Sequence, residues 1–305
     1  MFFNTEDKII IMMLVFFLTT ANIIHSNKYP QSNIVKNISI PTKLPGHIAI
    51  IMDGNRRYGR SKCLGGNGNP LSGHSAGAKT LRRFIKGCVD MNATMSCAEN
   101  KIHTLTVYAF SSENWGRTAS ELDCLMNLFM QNANGKLQRE CVAGGVRVNI
   151  ISTDLNRLPD NVRKAMKSLM NATSHCKNLT LNVCLSYGGR AEITSAARAL
   201  ALEVRDGRLD PDDINENTLS RYMLISSNPC STNYSDTNII GSMLPITEPD
   251  ILIRTSGECR LSNFLLWQCA YTELFFIDKM WPEINESDLQ KIVNEYALRQ
   301  RRYGK

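Results

Sequence analysis

The chain has 305 residues, of which 43% are hydrophobic and 21% charged, and its formal net charge is +7. This composition is typical of a globular protein with a core. The positive charge indicates an anionic partner: nucleic acid, a phosphoester or a membrane surface. Because the arginines stand at strand ends and not in long basic runs, we favour a small phosphorylated substrate over nucleic acid. Ten cysteines without a C-x-x-C pair argue against a disulfide or zinc scaffold and favour a reducing compartment.

The N-terminal segment Ile9–Ile24 carries no charge. As a helix it reaches about 24 Å, slightly less than a hydrocarbon core of about 30 Å. A signal anchor, an interfacial helix, a cleaved signal peptide and a packed helix all remain open. Because Glu6 and Asp7 make a poor signal-peptide start, we favour a retained membrane anchor with the rest of the chain in the cytosol. We therefore divide the chain into an anchor with its linker, 1–43, and one domain, 44–305.

Apolar runs alternate with helical stretches after the linker. The strand-like runs are His47–Met52, Thr104–Phe110, Val146–Ser152, Leu179–Leu185, Ile251–Arg254 and Leu274–Ile277. The helical stretches are His74–Met95, Ser120–Ala143 with Ser120 as its cap, Asp160–His175, Ala191–Arg205 and Glu286–Arg299. Runs that are apolar throughout are typical of strands covered on both faces. The pattern predicts a single α/β domain with a mostly parallel six-stranded sheet flanked by helices. Gly65–Pro70 and Ser226–Glu248 are predicted loops.

Polar clusters follow four of the predicted strands. They are Asp53–Arg57, Ser111–Arg117, Ser186–Arg190 and Arg254–Asn263. Because the carboxyl ends of parallel strands meet at one edge of a sheet, we expect the four clusters to form one site.

The residue types in these clusters indicate phosphate chemistry. Asp53 is suited to a divalent cation, and the nearby arginines are suited to phosphoryl oxygens. His74 opens the first long helix, where it either binds an anion or caps the helix. Glu273 begins the last strand, either as a solvated residue or as a second metal contact. A P-loop and a dinucleotide-binding motif are both absent from the sequence.

Five motifs in order resemble the cis-prenyltransferase family, which includes undecaprenyl diphosphate synthase and dehydrodolichyl diphosphate synthase. They are HIAIIMDGNRRYGR, GHSAGAK, TLTVYAFSSENWGR, SYGGR and ILIRTSGECRLSNFLLWQCAYTELFF, with WPEI just after. The pair Arg56–Arg57 resembles the eukaryotic branch. The resemblance implies an enzyme that condenses isopentenyl diphosphate onto an allylic diphosphate such as farnesyl diphosphate. It also implies Mg²⁺ as cofactor, a hydrophobic tunnel for the product, and a polyprenyl product for dolichol and protein glycosylation.

Site residues follow from the resemblance at the matching positions. Asp53 and Asn114 are expected to be catalytic, and Asp53 and Glu273 to hold the metal. The allylic diphosphate is expected at Gly54, Asn55, Arg56, Arg57 and His74. The isopentenyl diphosphate is expected at Arg117, Arg254, Arg260, Ser262, Arg302 and Gly304. Tyr58, Phe110 and Trp115 are expected to position the substrates.

The C-terminal Arg302-Tyr303-Gly304 matches a family motif that reaches a diphosphate of the neighbouring subunit. Because one chain carries this motif and the catalytic set, the resemblance implies an active homodimer of the single-subunit type, at the endoplasmic reticulum membrane with its catalytic domain facing the cytosol. The alternative is a non-catalytic partner subunit of a heteromeric enzyme.

The sequence departs from the family pattern at two places. Pro70 stands where the family usually has an arginine, which Arg60 or Lys62 could replace. Cys259 stands where bacterial members often have a metal-contacting histidine.

Overall fold

The computed structural model describes residues 43–61, 70–223 and 248–299. The predicted anchor Ile9–Ile24, nearly all of both predicted loops, and the predicted site residues Arg302 and Gly304 lie outside these ranges. Within them, no helix has both the length and the apolar character needed to cross a bilayer.

Six strands form one sheet, and all five neighbouring pairs are parallel. The strands are β1 (His47–Ile51), β2 (Thr104–Ser111), β3 (Val146–Ile151), β4 (Leu179–Tyr187), β5 (Ile251–Thr255) and β6 (Glu273–Ile277). Their order in the sheet is β3-β4-β2-β1-β5-β6. The predicted α/β architecture is confirmed, and the sheet is parallel throughout.

Eight α-helices lie in the described ranges. They are α1 (Asn55–Ser61), α2 (Pro70–Ala93), α3 (Ala119–Ala133), α4 (Lys136–Ala143), α5 (Asp160–Thr173), α6 (Gly189–Arg205), α7 (Glu216–Tyr222) and α8 (Glu286–Leu298). The single helix predicted over 120–143 is two helices, separated at Asn134 and Gly135. The prediction of Ser120 as its cap is wrong, because the helix begins at Ala119 and Thr118 is the N-cap.

Both faces of the sheet are covered. One face packs against apolar side chains of α2, α3, α5 and α8, among them Phe84, Leu125 and Leu169. The other face packs against the segment that follows β5, where Phe264 and Leu265 are fully buried. This double cover explains why β1 is buried at all five positions and contains no charged residue.

The strand order places β1 at the switch point of the sheet. From β1 the chain first builds outward through β2, and it later returns to add β5 on the other side. In open parallel sheets, ligands bind beyond the carboxyl ends of the strands at such a point. Asp53 follows β1 directly and therefore stands at the expected position.

Candidate active site

The turn after β1 fixes the carboxylate of Asp53. The Asp53 N–H donates to Thr255 Oγ1 at 3.0 Å, and that hydroxyl donates to the Asp53 carbonyl at 2.8 Å. The Gly54 N–H donates to Asp53 Oδ1 at 2.7 Å. Gly54 has a φ of 96°, and a Cβ there would lie 2.7 Å from Ser256 Oγ, so the turn requires glycine.

Arg254, from the end of β5, holds the other oxygen of this carboxylate. Its Nη2 lies 2.9 Å from Asp53 Oδ2, and its Nη1 donates to Ser262 Oγ at 2.7 Å and to the Arg260 carbonyl. The residue is only 3% exposed, yet its Nε has no hydrogen-bond partner. A buried guanidinium donor without an acceptor favours an anionic ligand at this place.

The helix α1 presents three more arginines beside Asp53. Arg57 Nη2 lies 3.8 Å from Asp53 Oδ1 and 3.5 Å from Glu258 Oε1. Arg56, Arg57 and Arg60 line one polar pocket of about 730 Å³ that is open to solvent. Arg60 lies beside Arg56 and Arg57, and its replacement of the family arginine stays a prediction; Lys62 lies outside the described ranges.

Glu121 is a functional candidate that the sequence interpretation missed. It is 6% exposed, and its Oε1 lies 2.7 Å from Arg117 Nη1, 3.4 Å from His74 Nε2 and 3.6 Å from Arg56 Nε. Burial and the neighbouring Arg117 lower the pKa of His74 from 6.5, against the opposing effect of Glu121. One buried carboxylate thus gathers three basic side chains that were predicted to bind diphosphates.

Polar and apolar pockets meet at this edge of the sheet. A second polar pocket, of about 1170 Å³ including open solvent, is lined by residues of all three neighbouring strand ends, among them Asp53, Asn114 and Arg254. An apolar cavity, of about 760 Å³ including open solvent, extends inward between the sheet and α2 and α3. Met52, Asn55 and His74 line all three spaces, which are therefore neighbours.

The glycines of GHSAGAK allow α2 to approach the Asp53 turn. A Cβ on Gly73 would lie 1.8 Å from the Asn55 carbonyl oxygen, and one on Gly77 would lie 2.1 Å from Asn55 Oδ1. Because these contacts leave no room for a side chain, the two glycines place His74 at the junction of the pockets.

The turn after β2 carries Asn114 and Trp115. Asn114 Oδ1 accepts from the Ser111 N–H at 3.1 Å, and the Trp115 Nε1–H donates to Ser186 Oγ at 2.9 Å. Phe110 is 1% exposed, and its ring contacts Trp115 edge-on at 4.9 Å between centroids. Phe110 therefore supports this turn from the core and lines none of the three spaces.

Three further predicted site residues line none of the three pockets: Tyr58, Trp115 and Arg260. Arg260 is exposed and its side chain pairs with Glu258, while its carbonyl contacts Arg254. Tyr58 is half-buried in α1 and does not line the pockets.

Glu273 lies at the amino-terminal end of β6, whereas Asp53 follows the carboxyl-terminal end of β1, so the two stand at opposite ends of the parallel strands. Glu273 pairs with Ile251 at the start of β5, three residues before Arg254, and its carboxylate accepts from Arg299 at 2.7 Å. At about 3.3 Å per residue, this places it about 10 Å from the rung of Arg254. The chain itself does not bring Glu273 to Asp53, so its assignment to the metal stays a prediction.

Asp53 fits a divalent metal that is shared with a bound phosphate. Its side chain is 31% exposed and lines both polar pockets. The described ranges contain no group of three or more His, Cys, Asp or Glu side chains that could hold a metal ion by itself. Mg²⁺ usually takes only one or two protein carboxylates and completes its shell with water and substrate phosphates. One carboxylate beside basic pockets is consistent with that mode of binding. Cys259 is exposed.

The fold and site define an enzyme that binds diphosphate groups beside an apolar cavity. A family model described as undecaprenyl diphosphate synthase matches residues 51–304. A Thermococcus kodakarensis tritrans,polycis-undecaprenyl-diphosphate synthase, geranylgeranyl-diphosphate specific, is 41% identical over 86% of this chain and 88% of its own. A Xanthomonas axonopodis ditrans,polycis enzyme, specific for (2E,6E)-farnesyl diphosphate, is 40% identical over 86% and 89%.

A solved structure agrees with these relatives. Lavandulyl diphosphate synthase from Lavandula x intermedia, in complex with dimethylallyl diphosphate, has a TM-score of 0.72 and 29% identity over 86% of this chain and 99% of its own. The chain belongs to the undecaprenyl diphosphate synthase family, and it is a cis-prenyltransferase.

Proposed function

We propose that this enzyme condenses isopentenyl diphosphate onto farnesyl diphosphate and makes a long-chain, dehydrodolichyl-type polyprenyl diphosphate for dolichol and protein glycosylation. One observation carries the proposal: the basic pockets at Asp53 share Met52, Asn55 and His74 with an apolar cavity. A prenyl diphosphate has the same division into an anionic head and an apolar tail.

In this proposal the allylic diphosphate binds on the α1 side, beside Arg56, Arg57 and His74. Its hydrocarbon chain enters the apolar cavity, which serves as the tunnel for the growing product. The isopentenyl diphosphate binds on the β5 side, where Arg254 has its unpaired Nε and Ser262 and Arg117 lie close by.

The reaction breaks the bond between the allylic C1 and its diphosphate oxygen, and the diphosphate leaves with the electron pair. The isopentenyl double bond then attacks C1, and loss of a proton leaves a new cis double bond. The arginines stabilise the charge that develops on the leaving oxygens. Mg²⁺, held by Asp53, would neutralise the same charge as a Lewis acid. The fixed turn at Asp53 keeps the diphosphate groups of both substrates in place during the transfer.

We further propose that the enzyme is a homodimer at the endoplasmic reticulum membrane, with its catalytic domain in the cytosol. The uncharged segment Ile9–Ile24 supports the membrane location. Strand β6 is at the edge of the sheet. Leu274 in this strand is 38% exposed, and Tyr271 just before it is 73% exposed. An open edge with exposed apolar side chains supports pairing with a second copy. Light scattering on the purified chain tests this: a mass of one chain would contradict the dimer.

The test of the main proposal uses the full-length chain alone with Mg²⁺, labelled isopentenyl diphosphate, and either farnesyl or geranylgeranyl diphosphate. We expect long extractable products, with farnesyl diphosphate as the better starter. A higher kcat/KM with geranylgeranyl diphosphate would overturn the choice of starter. Product only after addition of a second protein would favour a partner subunit instead.

A further inference from the structure

We propose that Glu121 is a positioning residue that couples the two diphosphate sites, so that occupancy of one changes the affinity of the other. The inference rests on the proposed function. Its basis is that Glu121 Oε1 lies within 3.6 Å of basic atoms of Arg56, His74 and Arg117. These residues come from three different elements: α1, α2 and the turn before α3.

The position of Glu121 in α3 would also fit a structural role in capping the helix. Thr118-x-x-Glu121 matches the capping box, in which a threonine side chain and a glutamate three residues later close the first turn of a helix. In the structure, Thr118 is the N-cap of α3, but its side chain makes no capping hydrogen bond. The Glu121 carboxylate instead points to the basic side chains. Its position in the helix therefore does not account for its contacts.

Two of the three partners are more exposed than the carboxylate. The side chain of Glu121 is 8% exposed, whereas those of Arg117 and Arg56 are 25% and 46% exposed; the side chain of His74 is as buried as that of Glu121. The carboxylate thus lies behind the two guanidinium groups, and each of them keeps further N–H donors for a ligand. A buried carboxylate is retained only where such partners surround it. Glu121 consequently assembles the basic groups before a diphosphate arrives.

Two of the three partners are shared by both polar pockets. Arg117 and His74 line the pocket beside Arg254 and also the pocket beside Arg57. When a diphosphate attracts Arg56 and His74, Glu121 loses two neighbours and holds Arg117 more firmly. The second diphosphate then competes with Glu121 for Arg117. Because coupling between binding sites is reciprocal, either ligand should weaken the other by the same factor.

The experiment measures binding to the full-length chain. The ligand is a thio analogue of farnesyl diphosphate, in which sulfur replaces the oxygen on C1 so that the diphosphate is not released. Its Kd is measured by calorimetry with and without saturating isopentenyl diphosphate. In the wild type we expect the second ligand to weaken the first by about fivefold or more, a common size of coupling. In Glu121→Gln, which keeps the shape but not the charge, we expect the two Kd values to agree within twofold.

Steady-state kinetics supply a second readout. Because Arg117 and His74 line both polar pockets, Glu121→Gln should shift KM for both diphosphates together. Asp123→Asn is the matched control, since Asp123 lies exposed on the same helix and should leave both KM values unchanged. Glu121→Asp keeps the charge and should retain part of the coupling.

The outcomes are separable. Equal coupling in wild type and Glu121→Gln, or no coupling in the wild type, would overturn the inference even if the wild type makes polyprenyl product. Absence of product from the wild type would instead overturn the proposed function. If Glu121→Gln does not fold, as judged by its melting transition, Glu121→Asp takes its place, and undiminished coupling there would count against the inference.

Discussion

Arg254 Nη2 lies 2.9 Å from Asp53 Oδ2 and joins the ends of two neighbouring parallel strands. The pair lies at the switch point of the sheet, where β1 has neighbours built on either side. The Asp53 carboxylate orients the Arg254 guanidinium. The Arg254 Nη1 donates to Ser262, and its Nε has no partner within the described part of the chain and can donate to a ligand. In the proposed function, Asp53 would hold the metal and Arg254 would bind isopentenyl diphosphate.

We expect Asp53→Asn to reduce turnover by about 10²-fold to 10³-fold, because the variant loses the charge that would hold the metal and orient Arg254. The fold should persist, since Thr255 contacts the backbone of residue 53 and the amide oxygen can still accept from either the Gly54 N–H or Arg254. Product formation and the melting temperature check this together. Turnover near that of the wild type in a folded variant would contradict the role of Asp53.

Arg60 is expected to replace the arginine that the family has at the position of Pro70. Its loss in Arg60→Gln should raise KM for the allylic diphosphate by about threefold to tenfold and leave KM for isopentenyl diphosphate unchanged. Arg139→Gln is the matched control, because Arg139 is exposed on α4 away from the pockets. Equal KM values in both variants would remove Arg60 from the site.

His74 makes stability depend on pH. Burial, with the charge of Arg117 as a second cause, lowers the pKa of His74 from 6.5 in the folded protein. As the pH falls below about 6.5, the unfolded chain binds a proton at this histidine before the folded chain does, so stability is lost with falling pH. Glu121 and Arg56 are the other charged groups that act on it.

His74→Gln should remove this part of the pH dependence. Between about pH 7.5 and about pH 5.5, its melting temperature should fall less than that of the wild type. His103→Gln, at an exposed histidine, provides the comparison and should follow the wild type. An equal fall in wild type and His74→Gln would show that the histidine does not contribute.

The apolar cavity should limit product length. Ala133 lines it and is fully buried, so Ala133→Leu adds three carbon atoms to its wall. We expect products shorter by about one isoprene unit or more, since overpacking leaves less space for the chain. Ala119→Leu makes the same change at an exposed position of α3. Chromatography of the dephosphorylated products gives the lengths; an unchanged distribution would place the product elsewhere.

The order of strands and helices was predictable because buried parallel strands are apolar throughout, as β1 shows. The meeting of Asp53 with Arg254 followed from the same pattern, since both stand at carboxyl ends. The position of Glu273 also followed from this pattern: it begins β6 and so lies at the opposite end of the strands from Asp53, and its assignment to the metal stays a prediction. The contacts of Glu121 were not predictable, because Arg56 and His74 are far from it in the sequence and reach it only in the folded chain.

The apolar run that follows Asn263 would fit a helix by its composition, but in the structure it is a series of turns. Ser262, Asn263 and Leu265 have φ values of 48°, 65° and 45°, in the left-handed region that interrupts a helix. The apolar residues after Asn263 predict burial correctly but do not predict the conformation. The same composition fits a helix and a loop that covers one face of the sheet. The left-handed turn delivers Ser262 to Arg254 and Asn263 to the Arg190 N–H, at 2.8 Å from Oδ1.

The most direct test of the account is a crystal structure with the thio analogue of farnesyl diphosphate, isopentenyl diphosphate and Mg²⁺. The account predicts one diphosphate beside Asp53 and Arg57 and the other beside Arg254 and Ser262, with the farnesyl chain between α2 and α3. Diphosphates bound away from the Asp53 turn, or a farnesyl chain outside the apolar cavity, would contradict it.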